Sequence, residues 1–311
     1  MAKHFPIIEI PPGAPEDIED LGTKEKFWFH HQDLGLCLYK KARANTGEDW
    51  SEKIASELSD LLELPHANYE LATFNSERGT ISPSFLPEDE SVPEEERVPL
   101  CRPTLGNEIL VGIVSDYPRY SKNPSQHTID IVLNAIGDSS VNLPLNWTPP
   151  HGIMTAVHTF VGYLLLDAWI GNSDRHHENW AVISLEEKIY LAPTYDHASS
   201  MGRELLDEKR NLKLNNKSVT GYAEKCSSVL YANVNDRKPL KAVDAFREAQ
   251  QRYPNAARVW LDNLARVSSN DTLDIFKRIP SERISQTAIE FAQKILEFNQ
   301  SRLLKLQDTL L

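Results

Sequence analysis

The chain has 311 residues, 41% hydrophobic and 25% charged, a size and balance that suit a soluble globular protein of one large domain or two lobes. Its net charge of −12 argues against a protein that grips nucleic acid through a basic surface. Cys37, Cys101 and Cys226 are widely spaced and form no C-x-x-C pair, which excludes a disulfide framework or a thiolate zinc site as the organising feature.

In chain order, the N-terminus lacks the long apolar stretch of a signal peptide. "HFPIIEI" predicts a short strand, followed by a Pro- and acid-rich loop. "EKFWFHH" and "LGLCLYKKA", separated by "QDLG", predict a hairpin. In "TGEDWSEKIASELSDLLEL", Ile54, Leu58, Leu61 and Leu62 recur at helical spacing, with Glu48, Asp49 and Glu52 in or before the first turn, where the helix dipole favours them. "NYELATFN" and "GTISPSFL" predict two more strands. The Pro- and Glu-rich "PEDESVPEEERVPLCRP" predicts a linker.

Beyond it the pattern turns helical. "QHTIDIVLNAIGD" predicts one helix, and the very apolar "GIMTAVHTFVGYLLLDAWIG" a second at the centre of its lobe. Asp167 breaks the longest apolar run well short of the ~18–20 residues of a membrane span. "WAVIS" and "KIYLAP" predict a hairpin, and "AVDAFREAQQRY", "RVWLDNLARVS" and "SERISQTAIEFAQKILEFNQSRLLKLQ" predict three further helices. The expected fold class is α+β, with a sheet-rich first lobe over 1–86, a linker over 87–105 and a mostly helical second lobe over 106–311. A cleft between two such lobes is a natural ligand site. A cytoplasmic location is expected, with neither a membrane nor a nucleic-acid partner.

The densest polar stretch is "IGNSDRHHENWAVI", bracketed by apolar residues. Four residues separate Asp174 from Asn179, and Asp196 follows after the predicted hairpin. Protein kinases use this spacing: a catalytic Asp beside the acceptor hydroxyl, then an Asn and a second Asp that share Mg²⁺ on the ATP phosphates. Antiparallel strands would bring Asn179 and Asp196 to one end, and two oxygen ligands suit a hard cation. A kinase also needs a phosphate-gripping Lys on a first-lobe strand and a Glu on the next helix. Lys40 and Lys41 stand at a strand end on opposite faces, and the helix supplies Glu52 or Glu57; Lys40 with Glu52 is preferred, with the others left open.

"WIGNSDRHHENWAVI" followed by "LAPTYDHAS" resembles the C-terminal kinase domain of the HipA family, bacterial serine/threonine kinases with a D-x-H-x-x-N segment and a later Y-D. The resemblance spans roughly residues 20–305, and its specific part is 170–200. It implies a two-lobed protein-kinase-like fold. It puts the catalytic Asp at Asp174, the motif His at His176, the metal ligands at Asn179 and Asp196, the ATP-contacting Lys at Lys40 and its partner at Glu52. The adenine-binding segment would fall near "SPSFLPED". ATP and Mg²⁺ are the implied cofactors. A protein Ser/Thr acceptor, a toxin role and an antitoxin partner are implied with them. One departure stands out: the stretch matching the family's phosphate loop, "EDLGTKEKFWF", has only Gly22 and Thr23 and no Ser, so Lys24 or Lys26 is a candidate phosphate contact there. The family's separate N-terminal subdomain has no counterpart ahead of the first strands, which reads as a stand-alone kinase domain.

Other readings compete. A metal-dependent phosphohydrolase would gather Asp174, His176, His177, Asp196 and His197, yet adjacent histidines diverge on any regular element. A pseudokinase would bind nucleotide without transfer, and a lipid or small molecule could be the acceptor on the same fold. His176 is expected to brace its loop, His177 to be exposed, and Arg175 to meet a phosphate or a neighbouring carboxylate, or else to form a surface ion pair. Trp169 and Trp180 are expected in the core.

Overall fold

The computed structural model describes residues 3–18, 25–89, 91–93, 97, 99–121 and 123–307. The first half is a curled sheet with one helix against it. Its strands are β1 (Ile7–Ile10), β2 (Asp17–Ile18), β3 (Lys26–His31) and β4 (Gly35–Lys41), then, after helix α1 (Glu48–Leu61), β5 (Glu70–Phe74) and β6 (Glu77–Pro83). The spatial order is β1-β5-β6-β4-β3-β2, with β1 and β5 parallel and all other neighbours antiparallel. Alternation sorts the faces of β4. Cys37 and Tyr39 join Phe27, Phe29, Phe74 and Ile81 in the sheet's own apolar cluster. Lys40 therefore takes the opposite face, in a register row with Lys26, Thr80 and Leu71. Leu71 packs with Ile54 and Leu58, so this is the face that α1 covers.

The second half opens with β7 (Pro103–Leu105), α2 (Gly106–Ile113), α3 (Ile129–Ile136) and β8 (Val141–Asn142). Then come α4 (Ala156–Ile170), β9 (Ala181–Leu185), β10 (Lys188–Leu191), α5 (Asp207–Asn215) and α6 (Val219–Ala223). The chain ends with α7 (Ala242–Arg252), α8 (Pro254–Arg266), α9 (Ser269–Arg278) and α10 (Gln286–Gln307). The predicted hairpin is present as β9 and β10, but it is the centre of a four-stranded sheet, β7-β9-β10-β8. The outer strands, two or three residues long, carry no readable alternation.

Helix α4 is buried on every side and packs against α7, α8 and α10, as its unbroken apolar run requires. Gly162 permits this: a Cβ there would come within 2.7 Å of the Trp260 ring on α8. Among the described residues no helix is long and apolar enough to cross a membrane.

The halves are joined at several points. Asn263 Nδ2 donates to the Leu62 carbonyl at 2.9 Å, and the Phe5 N–H donates to the Arg278 carbonyl at 2.7 Å. The buried Arg283 reaches Asp49 at 3.1 Å on α1 and Thr73 at 2.6 Å on β5. Helix α1 is buried from Glu48 to Ser56, held between the first sheet and the segment that follows β10.

Candidate active site

Helix α4 delivers the chain to the site. It ends at Gly171 in the left-handed conformation (φ 65°), which turns the backbone into a tight loop. Within it the Asp174 N–H donates to Asn172 Oδ1 at 3.2 Å, the His176 N–H to the Asp174 carbonyl at 2.8 Å, and the Asn179 N–H to the His176 carbonyl at 2.9 Å. Asn179 Nδ2 donates to the Asp174 carbonyl at 2.6 Å. That bond uses the donor end of the amide and turns Oδ1 the other way, as an acceptor. Asn179 is buried, while the Asp174 carboxylate is 47% exposed and open to an incoming group.

The chain after β10 is laid antiparallel along this loop. The Ala192 N–H donates to the Ala181 carbonyl at 3.0 Å, Tyr195 Oη to the Glu178 carbonyl at 2.8 Å, and the Ser173 N–H to the Ser199 carbonyl at 3.0 Å. Asp196 lies within this run with φ 58°, a left-handed conformation that Asp tolerates better than most residues.

The Asp196 carboxylate is paired with Lys40 Nζ from β4. Burial alone would push the Lys40 ammonium down, but Asp196, Glu52 and Glu48 outweigh it and raise it, so Lys40 stays charged. Glu52 accepts the backbone N–H of His197 at 2.6 Å and of Ala198 at 3.0 Å, so α1 grips the residues just after Asp196. Lys41 turns to Glu25 at 3.3 Å and Glu77 at 3.7 Å, and Glu57 pairs with Lys53 at 2.7 Å and Arg278 at 3.3 Å. Of the open alternatives, Lys40 and Glu52 are the two that stand at Asp196. Next to them, Phe85 stacks on Tyr195 at 5.9 Å and joins Leu86, Cys101 and Leu105 in an apolar cluster.

No family model matches the chain, and no curated protein matches it in sequence. Solved structures do match in fold. The Helicobacter pylori proinflammatory kinase CtkA superposes with a TM-score of 0.69 at 18% identity, over 98% of this chain and 98% of that one. HipA of the Shewanella oneidensis MR-1 toxin–antitoxin system, solved with HipB and operator DNA, gives a TM-score of 0.58 at 10% identity, over 95% of this chain and 66% of that one. The fold is that of the HipA-like kinases.

Within this HipA-like fold, Arg175 and His177 are placed differently from a surface position. Of the alternatives open to Arg175, the structure shows a carboxylate partner and no surface ion pair: the residue is 1% exposed. Its Nε and Nη2 make a bidentate pair with Asp167 of α4 at 2.7 and 2.8 Å. Nη1 donates to the Asn179 carbonyl at 2.7 Å, and Nη2 also lies 2.9 Å from Thr194 Oγ1 and 3.0 Å from His197 Nε2. One guanidinium thus ties α4, the Asp174 loop and the Asp196 loop together. The lone acid in the apolar α4 was the legible half of this arrangement, because a buried carboxylate demands a cation.

His177 is also not exposed. It is 1% exposed, with Nδ1 2.7 Å from Tyr117 Oη, and its ring neighbours His127, whose Nε2 accepts from Trp180 Nε1 at 3.2 Å. Burial lowers both histidines, His177 to about 4 and His127 to about 3, so both are neutral near pH 7. Tyr117 and His127 lie far from the motif in sequence, and no spacing rule linked them to it. His176 stays at the loop, its Nδ1 accepting the Glu178 N–H at 3.1 Å. Trp169 and Trp180 are core residues, as expected.

Of the expected phosphate loop, Gly22, Thr23 and Lys24 lie outside the described residues, and Lys26 is opposite Lys40 in register. As for a phosphohydrolase, His177 is committed to Tyr117, and His197 to Thr194 at 2.7 Å and to Arg175. Among the described residues no group of three His, Cys, Asp or Glu is arranged to hold a metal ion.

Proposed function

We propose that the chain is a Mg²⁺- and ATP-dependent kinase that phosphorylates a Ser or Thr hydroxyl of a protein. The observation that carries this reading is the meeting of Lys40 with Asp196, from opposite halves of the molecule, beside a loop that presents Asp174 and Asn179. The lobes run over 1–86 and 106–311, joined by 87–105, with the adenine against the apolar cluster of Phe85 and Tyr195.

The donor set fits the cofactor. Asn179 Oδ1 and the Asp196 carboxylate are hard oxygen ligands suited to Mg²⁺. When bound, MgATP supplies the γ-phosphoryl group and the charge neutralisation that its transfer requires. Lys40 is held charged in the cleft and grips the α/β-phosphates, leaving Asp196 to its metal. Glu52 fixes the Asp196 loop from α1 through two backbone amides. Asp174 orients the acceptor hydroxyl and takes its proton, and His176 braces the turn that aims it. Rate enhancement comes mainly from positioning. A growth-inhibiting role in the cytoplasm, opposed by an antitoxin partner, belongs to the same proposal; its support is the likeness in fold to HipA of a toxin–antitoxin system.

Purified protein incubated with γ-labelled ATP, Mg²⁺ and a bacterial lysate tests the reading. Label is expected to pass to serine or threonine of a protein and to stop when Mg²⁺ is chelated. Release of phosphate from phosphate esters without ATP, or label confined to lipid, would contradict it.

A further inference from the structure

We propose that Ser199 is an autophosphorylation site, modified within the same chain by the site it faces; the inference rests on the kinase reading above. Ser173, Ser199 and Ser200 lie on the two segments that meet at Asp174, and two of them are committed elsewhere. Ser173 Oγ donates to the Ser199 carbonyl at 3.2 Å. Ser200 is 2% exposed, with its Oγ 2.9 Å from Ser51 Oγ on α1. Ser199 differs: its Oγ donates to Asp174 Oδ2 at 3.4 Å. A hydroxyl giving its proton to the catalytic carboxylate is what an acceptor needs at the start of phosphoryl transfer. The separation is long for an O–H···O bond, and catalytic contacts of this kind tighten when substrate is bound.

The surroundings suit the product as well as the reactant. The Ser199 backbone is pinned to the Asp174 loop through Ser173 and follows directly on the amides that Glu52 holds. Arg203 Nη2 donates to Ser199 Oγ at 3.1 Å, while its Nη1 pairs with the buried Glu48 at 2.8 Å. Arg43 reaches the same Glu48 at 2.7 Å. Arg43 offsets the charge of Glu48, so Arg203 remains a cation in direct contact with Ser199 Oγ, the kind of partner a phosphoserine takes.

The step balances with MgATP as the donor. The Ser199 Oγ proton passes to Asp174 as Oγ attacks the γ-phosphorus. The Oγ–P bond forms, the bond from the γ-phosphorus to the β,γ-bridging oxygen breaks, and ADP leaves with that electron pair. The phosphoserine then stands in the acceptor position, so the modified chain is closed to other acceptors.

The test is to incubate the full chain with γ-labelled ATP and Mg²⁺ over a tenfold range of enzyme concentration and to map the phosphate by mass spectrometry. Phosphate is expected on Ser199, approaching one per chain, at a first-order rate independent of enzyme concentration. It is expected to be absent from Ser199→Ala and Asp174→Ala, retained at this position in Ser199→Thr, and slowed ~10-fold in Arg203→Met through the lost charge-assisted contact. Label on lysate protein or on other residues of the chain, with Ser199 unmodified, overturns the site and leaves the kinase reading standing. A Ser199 labelling rate that rises with enzyme concentration overturns transfer within one chain. No transfer from ATP to any protein overturns both this inference and the kinase reading.

Discussion

At the scale of single residues, the contrast between Asp174 and Arg175 is instructive. They are neighbours in sequence, yet one carboxylate opens to solvent while the next guanidinium is sealed in the core. Spacing alone picked out Asp174, Asn179 and Asp196, because the chemistry of phosphate and metal fixes those intervals. It gave no hint that Arg175 would turn inward, since its partners Asp167, Thr194 and His197 come from three segments. Breaking this pair leaves a buried charge without a partner, so Arg175→Met is expected to cost about 3–5 kcal/mol of stability in chemical denaturation. Arg175→Lys is expected to recover little of it, because an ammonium cannot span both Asp167 oxygens and the Asn179 carbonyl at once. A Lys variant as stable as the parent would show that the bidentate geometry is unimportant.

At the scale of elements, α1 and α4 were readable for opposite reasons. Helix α4 was legible from its apolar run, and its all-round burial follows from that. Helix α1 was legible from its Ile and Leu spacing, but its acidic first turns are buried as well, because Arg283, Arg43 and Arg203 come to meet them. Long-range partners of that kind leave no periodic trace in sequence. The strands β2, β7 and β8 were missed because two or three residues set no period, and the helices α2, α5, α6 and α9, all short, were missed as well. The close crossing of α4 and α8 yields a prediction. Gly162→Ala adds one methyl group where Trp260 and Leu64 already lie under 3 Å from it. It is expected to destabilise by about 1–3 kcal/mol despite the better helix propensity of Ala, read as a lower denaturation midpoint. A stabilised variant would mean that the two helices separate freely.

At the scale of the whole molecule, the meeting of Lys40 with Asp196 depends on the two halves being held together. The buried pair His127 and His177 backs the Asp174 loop in the neutral form. Their folded values, about 3 and about 4, lie below the ordinary 6.5, so below pH ~6.5 the unfolded chain binds more protons than the folded one. Stability is therefore expected to be fully present above that pH and to fall progressively as the pH drops toward 4. A melting temperature followed from pH 7 to pH 4 checks this, and His177→Phe is expected to show a shallower decline. An unchanged slope in that variant would remove His177 from the account.

The central claim is that Asp174 serves transfer and not nucleotide binding, while the groups around Asp196 serve binding. The most direct measurement is ATP affinity in the presence of Mg²⁺ and phosphoryl transfer from γ-labelled ATP, made on the same samples of the parent chain and of Asp174→Ala. The account predicts that affinity stays within about threefold while transfer falls by ~10²–10⁴-fold. Transfer retained at the parent rate in Asp174→Ala, or no ATP binding by the parent chain, would contradict it.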